Sequence, residues 1–374
     1  MKKHVLNGID CLSRENTLLR GRRLGLITNP SGVLRDLTPT YLYLFRRYDL
    51  RALFAPEHGI LGNADAGGKI ADTRDDETDL PVYSLYGDHR APTKEMLADI
   101  DVLCFDIGDV GARFYTYLYT MTRSMKAAAK AGIPFFVFDR MNPLSLSAVE
   151  GETLDEQFSS FVGEYAVPTR YGMTIGEFAR YINETKGIGA DLTVIPCENL
   201  TREICFDDTD LSFVPPSPNM PNPETALLYI GTCIFESVSN LSEGRGTANP
   251  FALIGAPFVN ARALAEEMNR KDLPGVRFRA AYFTPSASKF AGEVCGGVHI
   301  HVYDKHAFSP FAMGVLLFET LRENYPLDIR ELSNKRLFGT ARLYDGVPAE
   351  KIIADAAVTA KCFAEETKPY RLYF

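Results

Sequence analysis

Residues 51–59 read RALFAPEHG, and this short stretch decides how the first part of the chain is interpreted. The apolar run before Pro56 predicts a buried strand. Pro56 cannot continue a central strand, because it has no N–H group to donate to a neighbour. Glu57 is therefore expected to leave the sheet at the strand tip, and Gly59 begins a glycine-rich loop that can approach a ligand closely. Ionisable residues on loops held by a rigid scaffold often carry chemistry, so Glu57 is the first candidate for a catalytic proton donor.

Four apolar segments of this kind are separated by segments with helical spacing. They are the expected strands at 23–28, 51–55, 101–107 and 133–138. Strands that alternate with helices predict a parallel, doubly wound sheet of the Rossmann-like α/β class. In such sheets ligands bind outside the carboxyl ends of the strands, where this chain has the loops TNPSG, PEHG, DIGDVGARF and DRMNP. No G-x-G-x-x-G or P-loop pattern follows the first strand, so the fingerprint of a dinucleotide site is missing.

A length of 374 residues exceeds one typical core and predicts two domains. We place a Rossmann-like domain at residues 1–150, and a second α/β or α+β domain that closes the active-site cleft at residues 151–374. In the second part, the patterns predict helices at 174–186 and 310–324 and strands at 192–196, 227–235, 276–283 and 297–303. Thr174 and Glu177 have the spacing of a capping box.

Three further segments have a distinctive composition. Residues 214–223 contain five prolines (VPPSPNMPNP) and form either a rigid linker or a wall for a ligand. Residues 65–80 lack periodicity, which predicts a long loop of the kind that often serves as a lid or binding loop. Residues 94–100 are expected to form a short helix.

Charge and composition exclude several classes of protein. Forty basic and 48 acidic residues give a formal net charge of −8, the wrong sign for a nucleic-acid-binding protein. No segment is long and apolar enough to span a membrane. The amino terminus lacks the apolar core of a signal peptide, which predicts a cytoplasmic protein unless the chain has been trimmed. Seven scattered cysteines without a C-x-x-C pair are typical of reduced thiols in that compartment. The sequence does not indicate an oligomeric state.

Carboxylates gather at the expected strand tips, which indicates acid–base chemistry. They are Glu57, Asp106, Asp109, Asp139, Glu236 and Glu243. Glycoside hydrolysis needs one carboxylic acid to protonate the leaving oxygen and a second group that acts as base, nucleophile or orienter of the substrate. The same loops contain three arginines whose guanidinium forks suit a substrate carboxylate, namely Arg113, Arg140 and Arg245. Tyr115 and Tyr117 could stack on sugar rings, although buried packing explains them equally well.

A metal site and a serine nucleophile are the other kinds of site to consider. His299 and His301 lie two residues apart and would face the same side of a strand, with Glu293 and Asp304 nearby in sequence. Because the chain has only six histidines and no H-E-x-x-H pattern, we favour structural histidines and predict no metal. The pattern G-x-S-x-G is absent and Ser242 has no assigned histidine, which argues against a serine hydrolase.

Long motifs of the chain resemble one known family. They are FAPEHGILGNADAGGKI, LPVYSLYG, FDIGDVGARFYTYLYTM, PPSPNMPNPETALLY, SEGRGTANPF and SKFAGEVCGGVHIHV. In this order they look like the NamZ-type exo-β-N-acetylmuramidases of bacteria, from about residue 20 almost to the carboxyl end. The resemblance implies a Rossmann-like domain joined to a second α/β domain, with the site between them. It also implies release of N-acetylmuramic acid from the non-reducing end of peptidoglycan fragments. The chain departs from the family pattern at Gly108, at Met141 and in the segment ESVSNLSE at residues 236–243.

The resulting hypothesis is a hydrolase in which Glu57, the glutamate of the family's PEHG loop, acts as general acid without a cofactor. Asp109 or Glu243 is the expected second carboxylate, and one of the three arginines is expected to bind the lactyl carboxylate of the sugar. The expected substrate contacts are Asn29, His58, Arg113, Tyr115, Tyr117, Asp139, Arg140, Asn219, Glu236 and Arg245. The alternatives are a sugar-binding protein without catalysis and a metal-dependent hydrolase that uses His299 and His301.

Overall fold

The computed structural model describes residues 2–12, 17–62 and 72–374. Within these residues the chain forms ten strands and nine α-helices, numbered here in chain order. The strands are β1 (Arg23–Thr28), β2 (Asp49–Ala55), β3 (Thr73–Arg74), β4 (Pro81–Ser84), β5 (Val102–Asp106), β6 (Phe135–Phe138), β7 (Leu192–Ile195), β8 (Leu253–Ala256), β9 (Val276–Phe283) and β10 (Cys295–Val302). The helices are α1 (Gly8–Cys11), α2 (Thr40–Arg47), α3 (Tyr117–Ala131), α4 (Ile175–Thr185), α5 (Pro223–Thr232), α6 (Ala261–Arg270), α7 (Pro310–Asn324), α8 (Glu331–Phe338) and α9 (Ala349–Glu366).

Seven strands form one sheet in the order β3-β4-β2-β1-β5-β6-β7. Neighbouring strands are parallel except β3 and β4, which run antiparallel. The strand order reverses between β1 and β5, because the chain builds outward from β1 in one direction and then returns to pair β5 on the other side. Such a reversal is the point at which open α/β sheets bind ligands. The predicted Rossmann-like α/β class is confirmed.

Helices cover both faces of this sheet, as the doubly wound pattern predicts. Residues of α1 and α2 share a core with Leu53, whereas residues of α3 and α4 share a second core with Phe54. Adjacent residues enter different cores because successive side chains of a strand point to opposite faces. Burial on both faces explains why the strands read as nearly continuous apolar runs.

Two helix ends follow the signals in the sequence. The hydroxyl of Thr174 accepts a hydrogen bond from the N–H of Glu177, and the Glu177 carboxylate accepts one from the N–H of Thr174, each at 3.2 Å. This is the predicted capping box at the start of α4. Gly132 ends α3 with a left-handed φ of 70°, a conformation that glycine adopts without steric cost.

The remaining strands form a smaller antiparallel sheet in the order β8-β10-β9. Residues of α5 to α9 pack in the same continuous core as α3 and α4, so the two parts of the molecule share apolar contacts. The strand β7 pairs with β6, so the first sheet extends past residue 150, where the sequence places the domain boundary. No α-helix within the described ranges combines the length and apolar character needed to cross a bilayer.

Two predictions of secondary structure were wrong. Residues 227–235, expected as a strand, lie in α5 and the 3-10 helix Cys233–Ser237. Asn222 begins α5 by accepting a hydrogen bond from the N–H of Thr225 at 2.8 Å, and Pro223 occupies the first turn. The helix is buried on all sides from Thr225 onwards, which removes the polar positions that reveal a helical period. Residues 94–100 form turns instead of a helix. Of the loop expected at 65–80, residues 65–71 lie outside the described residues.

A buried ion pair joins the tips of three strands in the first sheet. Arg140, which follows β6, donates from Nε and Nη2 to the two carboxylate oxygens of Asp106 at the end of β5, at 2.5 and 2.8 Å. Its Nη2 also donates to the carbonyl of Val33, in the loop after β1, at 2.7 Å. The side chains of Arg140 and Asp106 are only 7% and 0% exposed, so each charge relies on the other for compensation.

Replacement of Arg140 by methionine should destabilise the fold, because the Asp106 carboxylate would remain buried without its cation. We expect a loss of about 3–5 kcal/mol in the free energy of unfolding, measured by urea denaturation. Arg51→Met is the matched control, since Arg51 pairs with Asp49 at the surface, where an ion pair contributes little. The double variant Arg140→Met/Asp106→Leu should recover part of the loss. Equal free energies of unfolding for Arg140→Met and Arg51→Met would contradict the prediction.

Candidate active site

A pocket of about 130 Å³ lies between the two parts of the chain, beside the carboxyl edge of the first sheet. It is formed by the loop after β2, the start of α3, the proline-rich residues and loops of the second part. The lining residues are Glu57, His58, Phe114, Tyr115, Thr116, Tyr117, Val162, Ser217, Asn219, Met220, Tyr229, Glu236, Arg245 and Phe251. The structure thus brings together Glu57, His58, Tyr115, Tyr117, Asn219, Glu236 and Arg245, all of which were candidates from the sequence.

Glu57 reaches the pocket because β2 ends two residues before it and the chain turns away from the sheet. The next residues are strained or permissive: His58 has a left-handed φ of 71° and Gly59 one of 79°. Left-handed conformations of non-glycine residues, such as that of His58, are concentrated at functional sites. The hydroxyl of Thr116 donates to Oε2 of Glu57 at 2.9 Å. The carboxyl group at the tip of β2 is therefore held from the side of α3.

Aromatic rings form the base of the pocket. Tyr115 and Tyr117 meet edge to face with centroids 4.9 Å apart. Tyr229 packs against Tyr115 at 6.3 Å and against Phe251 at 4.6 Å. Burial raises the pKa of the Tyr115 and Tyr117 hydroxyls, so both remain protonated at neutral pH. Tyr115 and Tyr117 belong to the buried core and also line the pocket. Buried packing and contact with a sugar ring are therefore compatible roles for these tyrosines.

The proline-rich residues 214–223 form one wall of the pocket. The carbonyl of Pro216 accepts hydrogen bonds from Nδ2 of Asn29 at 3.0 Å and from the hydroxyl of Tyr117 at 2.7 Å. The side-chain oxygen of Asn29 accepts from the N–H of Ser31 at 3.0 Å, which fixes the orientation of the amide. Asn29, a predicted substrate contact, thus supports the wall from behind, whereas Asn219 lines the pocket itself.

The second part of the chain contributes an ion pair to the pocket. Nη2 of Arg245 lies 2.6 Å from Oε1 of Glu236, and the guanidinium lies 5.1 Å from the centroid of Phe251. Burial raises the pKa of Glu236, although the neighbouring Arg245 opposes this shift. Among the lining residues, Glu57 and Glu236 are the two carboxylates and Arg245 is the guanidinium.

Lys289 organises the loop that carries this ion pair. Its Nζ donates to the carbonyls of Phe235, Val238 and Leu241 at 3.0, 2.7 and 3.0 Å, and to Oε2 of Glu243 at 2.8 Å. The other oxygen of Glu243 lies 3.4 Å from Nε of Arg245. Glu243, a predicted catalytic residue, is 2% exposed and connects the lysine to the arginine behind the pocket.

Asp109, the other candidate for the second carboxylate, lies outside this pocket. Its Oδ2 accepts hydrogen bonds from the N–H of Gly111 at 2.7 Å and from the hydroxyl of Tyr171. It lines a neighbouring cavity of about 50 Å³ together with Gly108 and Arg140. Burial raises the pKa of Asp109 to about 6. The structure therefore places Glu236, and neither Asp109 nor Glu243, in the pocket with Glu57.

Three predicted substrate contacts are buried away from the pocket. Nη2 of Arg113, which is fully buried, donates to the carbonyls of Leu337 and Phe338 at the end of α8, at 2.9 and 2.8 Å. Arg140 is occupied by the buried ion pair with Asp106. Asp139 accepts hydrogen bonds from two hydroxyls and from the amino end of α4. Each of these charged groups already has partners within the fold.

Some lining residues were missed from the sequence. Thr116 lies between the predicted contacts Tyr115 and Tyr117, and this position in the sequence could have identified it as a pocket residue. Tyr229 was hidden by the wrong assignment of α5 as a strand. Phe251 follows the predicted SEGRGT loop and was overlooked because an apolar residue in a loop has no distinctive pattern.

The histidines of the metal alternative lie on β10, outside the lining of the pocket. The rings of His299 and His301 are 4.0 Å apart, and Nη2 of Arg279 lies 3.1 Å from Nδ1 of His299. Burial and the two neighbouring side chains lower the pKa of His299 to about 4. The positive charge of Arg279 so close to His299 would repel a metal ion. A metal site at His299 and His301 is therefore not favoured.

Comparison with known proteins gives a family for the whole chain. Residues 24–224 match the family model described as exo-beta-N-acetylmuramidase NamZ, N-terminal, and residues 227–373 match the C-terminal model of the same description. The peptidoglycan beta-N-acetylmuramidase NamZ of Bacillus subtilis is 44% identical over 382 residues, which cover 100% of this chain and 92% of that protein.

Solved structures agree with this assignment. Two crystal structures of DUF1343 family proteins from Bacteroides fragilis match with TM-scores of 0.92 and 0.80, at 33% and 28% identity. In both cases 99% of each chain is covered. The resemblance drawn from the sequence motifs is confirmed, and the chain belongs to the NamZ family of exo-β-N-acetylmuramidases.

Proposed function

We propose that this protein is an exo-acting glycoside hydrolase that releases N-acetylmuramic acid from the non-reducing end of peptidoglycan fragments. One observation carries the proposal: the pocket between the two parts of the chain unites Glu57 with the ion pair of Arg245 and Glu236. Two carboxyl groups are what glycoside hydrolysis requires, and a guanidinium suits the lactyl carboxylate that distinguishes this sugar.

Glu57 acts as the general acid. It transfers its proton to the glycosidic oxygen as the bond between that oxygen and the anomeric carbon breaks, and a water molecule completes the hydrolysis. The hydroxyl of Thr116 holds Oε2 of Glu57 and limits rotation of the carboxyl group. A carboxyl group held in this way transfers its proton in a defined direction, which is the purpose of positioning in acid catalysis.

Glu236 takes the role of the second carboxylate. The ion pair with Arg245 favours its ionised form, which can accept a hydrogen bond from the substrate's acetamido N–H or from the attacking water. Glu236 replaces Asp109 and Glu243 in this role, because neither of them lines the pocket.

Arg245 binds the lactyl carboxylate. Of the three candidate arginines, Arg113 and Arg140 have their donors directed to carbonyls and to Asp106 inside the fold. Arg245 lies in the pocket wall, and the chain of contacts through Glu243 to Lys289 fixes its position. The positive charges of Arg245 and Lys289 offset the negative charges of Glu236 and Glu243, so the carboxylate of the substrate is not repelled.

Glu57→Gln should lower kcat/KM for the disaccharide in which N-acetylmuramic acid is linked to N-acetylglucosamine by about two to four powers of ten, because the leaving sugar must be protonated and the amide cannot supply the proton. The fold should be intact, as judged by circular dichroism and thermal unfolding. Glu95→Gln, on the exposed surface, is the matched control and should keep full activity. Wild-type activity of the Glu57 variant would refute the assignment. Calorimetric binding of N-acetylmuramic acid by a protein that releases no product from any muropeptide would favour a sugar-binding protein instead.

Arg245→Met should reduce selectivity for the acidic sugar. The ratio of kcat/KM for a nitrophenyl N-acetylmuramide to that for the N-acetylglucosaminide, which lacks the lactyl group, should fall about 10- to 100-fold, since a hydrogen bond to a charged group contributes about 1.5–3 kcal/mol. Arg262→Met, on the exposed face of α6, is the control. A constant ratio in the Arg245 variant would show that another group reads the carboxylate.

Lys289→Ala should raise KM for the muramide and lower kcat/KM by about tenfold or more, because Glu243 and three carbonyls lose their shared donor. Methylammonium added to the assay should restore part of the activity by occupying the vacated site. Tetramethylammonium has the same charge but no N–H donors, so it should not restore activity. Equal effects of the two cations would contradict a positioning role for the ammonium group.

A further inference from the structure

Next to Val162, which lines the pocket, lies a group of aromatic and cationic side chains that the proposed mechanism does not use. The rings of Tyr86 and Phe161 lie 5.7 Å apart. The guanidinium of Arg90 lies 4.5 Å from the centroid of Phe161, and that of Arg123 lies 5.1 Å from it. Val162, the next residue along the chain, lines the pocket. We call Tyr86, Arg90, Arg123 and Phe161 the rim cluster.

The rim cluster lies on the side of the catalytic acid. Burial and then the Glu57 carboxylate raise the pKa of Tyr86, which places these two side chains within electrostatic range of each other. Arg245 and Glu236 approach the pocket from the second part of the chain. A general acid must reach the glycosidic oxygen, and that oxygen leaves with the departing sugar. The departing sugar is therefore expected beside Glu57, on the side where Tyr86 and Val162 lie.

The two arginines of the rim cluster differ in their partners. Arg123 forms an ion pair with Glu164. Arg90 is exposed and lies within electrostatic range of the same Glu164, but it forms no ion pair among the described residues. Stacking on a ring fixes the plane of a guanidinium while its N–H groups still point outward around the edge. Phe161 thus holds Arg90 in an orientation that suits a ligand with several oxygen acceptors.

We infer that the rim cluster is a binding site for the leaving part of the substrate, the sugar to which N-acetylmuramic acid is attached. Arg90 donates hydrogen bonds to the hydroxyl and acetamido oxygens of that sugar, and Phe161 is the positioning residue that supports Arg90. The inference rests on the proposed function and extends it, since it identifies the side on which the glycan continues beyond the pocket.

Two substrates separate this site from the catalytic pocket. One is the disaccharide in which N-acetylmuramic acid is linked to N-acetylglucosamine, and the other is methyl N-acetylmuramide, whose leaving group also needs a proton from Glu57 but has no further sugar hydroxyls. Arg90→Met should lower the ratio of kcat/KM for the disaccharide to kcat/KM for the methyl glycoside by about tenfold, the effect of losing one or two hydrogen bonds from a charged donor. Phe161→Leu should shift the ratio in the same direction. Arg262→Met should leave it unchanged.

An unchanged ratio in both rim variants would overturn the inference, whether the two rates stay constant or fall together. A parallel fall would show that Arg90 acts through Glu57 and not on the leaving sugar. Wild-type protein that hydrolyses neither substrate would instead refute the proposed function, and the inference with it. The wild-type rates are measured first, so the two failures are distinguishable.

Discussion

The geometry of the site depends on a buried guanidinium at the contact between the two parts of the chain. Arg113 lies in the loop before α3 and donates to the last carbonyls of α8, where the helix dipole is negative. Burial lowers the pKa of Arg113 to about 10, which still leaves it charged at neutral pH. Gly339 follows with a φ of 96°, a conformation that other residues rarely adopt, and a Cβ there would displace the guanidinium of Arg113. The same loop continues into Tyr115 and Tyr117, and the contact with α8 therefore also sets the base of the pocket.

The features that could be predicted from the sequence are those with a local physical cause. Pro56 stops β2, and Glu57 follows it into the pocket for that reason. Alternating apolar and helical segments predicted the parallel sheet, and the order reversal between β1 and β5 gives that sheet its ligand-binding edge. The capping box of α4 and the glycine at the end of α3 are formed by residues within a few positions of each other. The family was identified from long motifs distributed along the chain. Periodicity and composition alone could not have identified it.

The features that could not be predicted depend on contacts between distant residues. A charged residue in a strand-tip loop looks the same in sequence whether it faces a ligand or a buried partner. Arg113 and Arg140 find partners inside the fold, whereas Arg245 lies at the pocket. Glu236 lies in the 3-10 helix Cys233–Ser237 and Glu243 seven positions later in the following loop. Only the position of Lys289, which binds Glu243, shows which of the two lies behind the pocket. The sequence of α5 has no helical pattern of polar and apolar residues, because the helix is buried on every side.

The wall around Pro216 is fixed to the part of the molecule that carries Glu57. Asn29 and Tyr117 both donate hydrogen bonds to the carbonyl of Pro216, and all three residues lie within the range 24–224 that matches the N-terminal family model. Glu236 and Arg245 lie within the range 227–373 that matches the C-terminal model. The acid and the proline-rich wall therefore belong to one domain, and the second carboxylate and the guanidinium belong to the other. A change in the angle between the domains would alter the distance from Glu57 to Glu236 and leave the wall beside Glu57 in place.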